Sequence, residues 1–121
     1  MARRVRPMIH VHDVAATVAW YESVGFEVVS TNVDEGTIDW ALLSYGDGQV
    51  MFNVGGTVSS AARREVDLYV NTDDVQGLYE RLKDRIDIRK GIHDTFYGTR
   101  EFIVRDVNGF WVTFGQTIRR P

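Results

Sequence analysis

Hydrophobic and polar residues alternate through Pro7–His12: Ile9 and Val11 fall on one side, and Met8, His10 and His12 on the other. This predicts a strand. Asp13 follows as a helix N-cap, and Val14, Val18 and Tyr21 recur at helical spacing up to a stop at Gly25. Phe26–Ser30 reads as a strand and Asp34–Gly36 as a turn. Thr37–Tyr45 is a longer strand that reaches its return partner, Gln49–Val54, through the hairpin turn Gly46–Gly48. Gly55–Arg64 is small and polar and reads as a linker. The pattern then restarts. Val66, Leu68 and Val70 alternate with Asp67, Tyr69 and Asn71, and Thr72 or Asp73 caps a helix with Val75, Leu78, Tyr79 and Leu82 on its apolar stripe. Ile86–Lys90 is a short strand, and Gly91–Gly98 is a loop carrying His93 and Tyr97. Thr99–Arg105 and Phe110–Gly115 form a second hairpin around Asp106–Gly109.

Asp13 and Asp74, Val14 and Val75, and Gly48 and Gly109 are each separated by 61 residues. A fixed offset over half the chain is the mark of an internal repeat. The reading is one α+β domain over residues 1–121, built from two βαβββ modules (6–54 and 65–116) joined by linker 55–64. The two modules are expected to make a curved mixed sheet, an incomplete barrel with a concave cavity. Alternation places Ile9, Val11, Leu68, Val70, Phe102, Val104, Val112 and Phe114 under the helices. It turns Met8, His10, Trp40, Leu42, Asp67, Tyr69, Asn71, Glu101, Ile103, Trp111 and Thr113 toward the cavity. Aromatic walls with a few polar groups are the usual lining of a small-molecule site.

Composition narrows the choices. The 121 residues suffice for one core, and 44% hydrophobic with 26% charged residues is a globular balance. No apolar run approaches a membrane span. The basic start, Met1–Arg6, has no apolar segment after it, so no secretory signal is read and a cytoplasmic location is expected. Cysteine is absent, which excludes disulfides, thiol nucleophiles and thiolate metal sites. Net charge is −3, and the basic clusters Arg3–Arg6 and Arg119–Arg120 read as solvated termini; a nucleic-acid partner is not expected.

Several stretches in this order resemble the vicinal oxygen chelate superfamily, which includes glyoxalase I, extradiol dioxygenases and bleomycin-resistance proteins. They are Val11-His12-Asp13-Val14 leading into Trp20-Tyr21 and Gly25-Phe26, then Asp73-Asp74-Val75, Tyr97-Gly98-Thr99-Arg100-Glu101-Phe102 and Arg105-Asp106-Val107-Asn108-Gly109. The turn Asp106-Val107-Asn108-Gly109 departs from the Asp-Pro-Asp-Gly more usual there. In the metal enzymes of that superfamily, each module supplies a ligand from its first and from its last strand. Carried over, the first-strand position falls on Arg6 with Asp67 as its mate. The last-strand position falls on Thr113 with Phe52, or Met51 one residue earlier, as its mate. Such a set does not hold a divalent cation, so no cofactor is expected, and Arg6 and Asp67 are expected to pair as ions.

The resemblance and the aromatic-rich cavity together favour a metal-independent binding protein like the bleomycin-resistance branch. It would sequester an aromatic or drug-like ligand through Arg6, His10, Trp40, Phe52, Asp67, Tyr69, Tyr97, Glu101, Trp111 and Thr113, as a homodimer. The alternative is a metal-dependent lyase, isomerase or dioxygenase with a divalent ion relocated to His10, His12, Asp67 and Glu101. Glu101 has two readings of its own. Burial beside Trp40 or Trp111 would raise its pKa and suit it to general-base work, whereas an ion pair with Arg100, Arg105 or Arg6 would make it structural. His93 lies with Asp94 and Tyr97 in a segment read as a surface loop, outside the predicted site.

Overall fold

A computed structural model describes residues 1–118; the Arg119–Arg120 cluster lies outside them. The chain divides into two compact units, one of residues 1–58 and one beginning at Ser59. The first runs β1 (Met8–Val11), α1 (Val14–Ser23), β2 (Glu27–Asp34), β3 (Thr37–Tyr45) and β4 (Gly48–Val54). The second runs β5 (Asp67–Asn71), α2 (Val75–Leu82), β6 (Asp87–Asp94), β7 (Thr99–Arg105) and β8 (Trp111–Thr117). Each is thus a βαβββ unit of an α+β fold, with an open four-stranded sheet in the order β1-β4-β3-β2 or β5-β8-β7-β6. The first strand of each unit pairs in parallel with the last, and the remaining pairs are antiparallel. Among the described residues, no helix is long and apolar enough to cross a membrane.

The helices start where a carboxylate can take a free first-turn N–H. Asp13 accepts from Ala16 N at 3.0 Å, and Asp74 accepts from Gly77 N at 3.0 Å. The second cap is therefore Asp74, not Thr72 or Asp73. Strand β5 already ends at Asn71, and only from position 74 does a carboxylate reach the third residue of this helix. After α1 the chain turns at Gly25, with φ +112°, a conformation that L side chains rarely adopt.

One face of each sheet packs on its helix. In the first unit the buried set includes Val11, Val14, Val18, Tyr21, Ala41, Leu43, Val50 and Phe52. In the second it includes Val70, Val75, Leu78, Leu82, Phe102, Val104, Val112 and Phe114, with Tyr79 of α2 edge-on to Phe102 at 5.1 Å. The predicted core positions Ile9 and Leu68 are half-buried.

Register decides a point that the repeat offset left open. Ala41 pairs with Phe52, and Phe102 pairs with Phe114. The offset is 61 residues from β3 to β7 but 62 from β4 to β8, because paired residues are one position further apart in sequence across the β7–β8 connection. That connection is closed by Asp106, whose Oδ1 accepts from Asn108 N and Phe110 N at 2.8 Å each. The mate of Thr113 is therefore Met51. Phe52 is no cavity residue: it is fully buried, with its ring 5.0 Å from that of Tyr21 on the helix side. Gly48 and Gly109 are likewise not equivalent, since Gly48 begins β4 and Gly109 lies in the connection.

Two predicted strands were too short. β2 runs to Asp34 and β6 to Asp94, each with two register irregularities that break the period-2 pattern. As a result His93 sits in a strand, paired with Glu101, and not in a loop.

Candidate functional site

The second sheet gathers the polar groups with chemical potential. Glu101 sits on β7 between Arg100 and Phe102; because Phe102 packs on α2, Glu101 faces the opposite side of the sheet. It is only 3% exposed. Tyr69, on β5, donates its hydroxyl to Glu101 Oε2. Thr99 Oγ1 donates to the same oxygen at 2.9 Å. Tyr97 Oη lies 3.0 Å from Oε1 and 2.9 Å from Oε2.

Each donor is placed by a local device. Tyr69 reaches across β8, which separates β5 from β7, because residue 115 is glycine. A Cβ there would collide with the phenol oxygen and lie 3.0 Å from Cζ. Tyr97 is carried on a turn braced by Thr95 N donating to Thr99 O at 2.8 Å and by Gly98, with φ +89°. The Thr95 and Thr99 hydroxyls are 2.7 Å apart. Since the Thr99 proton goes to Glu101, Thr95 is the donor in that pair. His93, the cross-strand partner of Glu101, donates from Nδ1 to the Gly91 carbonyl at 2.8 Å, which fixes its tautomer when neutral.

The electrostatics follow from these contacts. Burial alone would raise the Glu101 pKa, but the hydroxyls of Tyr69, Thr99 and Tyr97, together with His93, outweigh it, and the carboxyl titrates below its ordinary value. Burial, and then the bond to Glu101, push the Tyr69 phenol up to about 12. The bond to Glu101 likewise raises Tyr97, with burial adding to it.

Both earlier readings of Glu101 are corrected. It is a weak base that already accepts from three hydroxyls, so it is not tuned for general-base work. Within the second unit it is also in no ion pair with Lys or Arg among the described residues. Arg100 points to the other face and makes a two-point contact with Asp94 at 2.7 and 3.1 Å. Arg105 lies four residues along the strand, about 13 Å away, and donates to Ala61 O at 3.2 Å. Arg6 donates from Nε to Gln49 Oε1 at 2.5 Å.

The remaining predicted site residues are placed as follows. Within the second unit Asp67 is bridged by Arg63 at 2.5 Å, and within the first Arg6 is held by Gln49. The Arg63 guanidinium also covers the Trp111 ring at 4.3 Å, and the Trp111 indole donates to Ala62 O at 3.3 Å. Thr113 is half-buried beside Tyr69 in the ladder. In the first unit, His10 Nδ1 lies 3.2 Å from the Val54 carbonyl, His12 is exposed and Trp40 is half-buried. The second unit thus brings together Tyr69, Tyr97 and Glu101. Thr99, His93 and Gly115 belong with them and were not read as site residues. Their signal was the phase of β7 relative to its neighbours, which the bulged β6 concealed.

The ligand positions carried over from the resemblance can be located unit by unit. The four carried-over positions hold Arg6, Met51, Asp67 and Thr113, and Asp67 is engaged by Arg63. Among the described residues no three of His, Cys, Asp and Glu group to hold an ion.

The class defined here is a βαβββ repeat protein with a polar, tyrosine-lined sheet face. A profile of the Glyoxalase/Bleomycin resistance protein/Dioxygenase superfamily matches residues 3–114, and the chain belongs to that superfamily. A comparison with curated proteins finds no match. Among solved structures, TioX from Micromonospora sp. ML1 is similar at 24% identity and a TM-score of 0.76, over 98% of this chain and 99% of that one. A protein of unknown function from Agrobacterium tumefaciens str. C58 is 21% identical, with a TM-score of 0.75 over 98% and 96% of the two chains. A bleomycin-binding protein complexed with bleomycin is 19% identical, with a TM-score of 0.68 over 96% and 99%. At such identities the likeness is one of fold.

Proposed function

We propose that this protein binds a small organic ligand with an aromatic or drug-like framework on the face of the second sheet that carries Tyr69, Tyr97 and Glu101. It sequesters that ligand without metal chemistry. The observation that carries this reading is a buried, ionised carboxylate held by three hydroxyls and flanked by two phenols, Tyr69 and Tyr97, that are 52% and 53% exposed. Half-exposed aromatic rings around a fixed polar group give stacking area and orientation. The same groups are poorly suited to catalysis at neutral pH, since the carboxylate is a weak base and the phenol a weak acid.

Membership of a superfamily that includes bleomycin-resistance proteins supports the reading, as does the fold shared with a protein solved with bleomycin bound. A homodimer in the cytoplasm is part of the proposal. β2 lends support to the dimer, as an edge strand exposed throughout its length that carries Val28, Val29 and Val33.

The test is a thermal-shift screen of aromatic compounds, followed by calorimetry on the hits, with metal analysis of untagged protein. The expected outcome is stabilisation by a subset of aromatic compounds, metal content near zero and no change on adding chelator. Stoichiometric Zn, Ni, Mn or Fe, lost together with an activity on chelation, would overturn it.

A further inference from the structure

We infer that the ligand of this site carries a protonated amine, whose N–H groups are received by the phenolic oxygens of Tyr69 and Tyr97. The inference rests on the binding role proposed above and adds the charge and hydrogen-bond sense of the ligand.

A phenol has one proton to donate and two lone pairs to accept with. Both phenols spend their proton on Glu101. What they present outward is therefore acceptor only. Thr99 is spent in the same way. Behind them lies a carboxylate that no Lys or Arg among the described residues bridges. Hydrogen bonds in series polarise one another, so the buried negative charge is passed on to the outer lone pairs of the phenols. The surface thus acts as a negative acceptor patch over a carboxylate that is only 3% exposed.

Three ligand classes meet this patch differently. An anion faces lone pairs and like charge. A neutral alcohol can donate one hydrogen bond but leaves the buried charge uncompensated. A primary ammonium supplies several donors and the opposite charge, and charge-assisted bonds of that kind are roughly twice as strong as neutral ones. A quaternary ammonium has the charge but no N–H. It would rely on the ring faces alone, a weaker contact at exposed sites.

The experiment uses four probes on one framework: naphthylmethylamine, naphthylmethyl-trimethylammonium, naphthylmethanol and naphthoate. Each is titrated into the full-length protein and followed by amide chemical shifts. The expected result is perturbation at Tyr69, Tyr97 and Gly115, with the amine binding about tenfold or more tighter than the alcohol or the naphthoate. The trimethyl analogue is expected to be weaker than the amine. Tyr69→Phe with Tyr97→Phe should abolish the preference while the thermal melt stays cooperative. Glu101→Gln, which removes the charge but keeps the shape, should reduce it. If alcohol or naphthoate binds as well as the amine, the charge inference falls and the binding role stands. Equal binding of the trimethyl analogue overturns the N–H assignment. If no probe perturbs this face, both the inference and the proposed role fall.

Discussion

The Tyr69 hydroxyl donates to the Glu101 carboxylate although the two residues lie on strands that do not pair. β8 runs between them, and the phenol crosses it at Gly115, the ladder partner of Glu101. A side chain is absent at that one point, and the contact depends on its absence.

Gly115→Ala should therefore act on the site before it acts on the fold. The new methyl meets the tip of Tyr69, which must swing away from Glu101. A cost of about 1–3 kcal/mol is expected from the overpacking. The decisive readout is loss of the bond, seen as a fall in the Tyr69 pKa together with loss of ligand binding. A variant that binds and titrates like the parent would disprove the crossing.

Alkaline titration checks the Tyr69 contact directly. Its folded pKa is raised from 10.0 to about 12, so this contribution to stability is whole below pH 10 and is lost as pH rises through about 12. Tyrosinate absorbance should show a phenol ionising late. In Glu101→Gln it should ionise earlier, since one of the two main causes of the shift is removed.

Acid titration has the opposite sign. The Glu101 pKa is lowered from 4.5, so its contribution is present above that value and is lost as pH falls through the lower folded pKa. Urea midpoints from neutral pH down to about 3 should converge for the parent and Glu101→Gln. At neutral pH the variant should be less stable by about 1–3 kcal/mol, having lost charge-assisted bonds to buried hydroxyls.

The β4 register makes a stability prediction. Phe52→Ala should cost about 3–5 kcal/mol, because the ring is wholly inside and rests on Tyr21. Met51→Ala, at a half-buried position on the other face, should cost markedly less. Equal costs in denaturant melts would mean that the strand is offset by one residue.

The second helix cap can be tested by a paired comparison. Asp74→Ala should lose about 1 kcal/mol, and Asp73→Ala should stay within about 0.5 kcal/mol. The reverse order in thermal melts would move the cap back to Asp73.

Local pattern determined a great deal. Alternation and helical spacing found every strand and both helices, Asp13 as a cap, and the face on which Val70, Phe102, Val104, Val112 and Phe114 would lie, because these depend on neighbours within a few residues. The repeat was legible for the same reason and aligned Asp13 with Asp74, although the second cap was read one or two residues early, at Thr72 or Asp73.

What the sequence alone could not supply is anything that depends on how one strand sits against another. The longer Asp106–Phe110 connection moved Phe52 from the site into the core. The irregular β6 brought His93 opposite Glu101, and Gly115 let Tyr69 reach a carboxylate two strands away. Period-2 patterning fixes a face but not a neighbour, and hydrogen bonding requires the neighbour. Whether Glu101 would be a base, half of an ion pair or an acceptor held by hydroxyls was decided by register and by one missing Cβ.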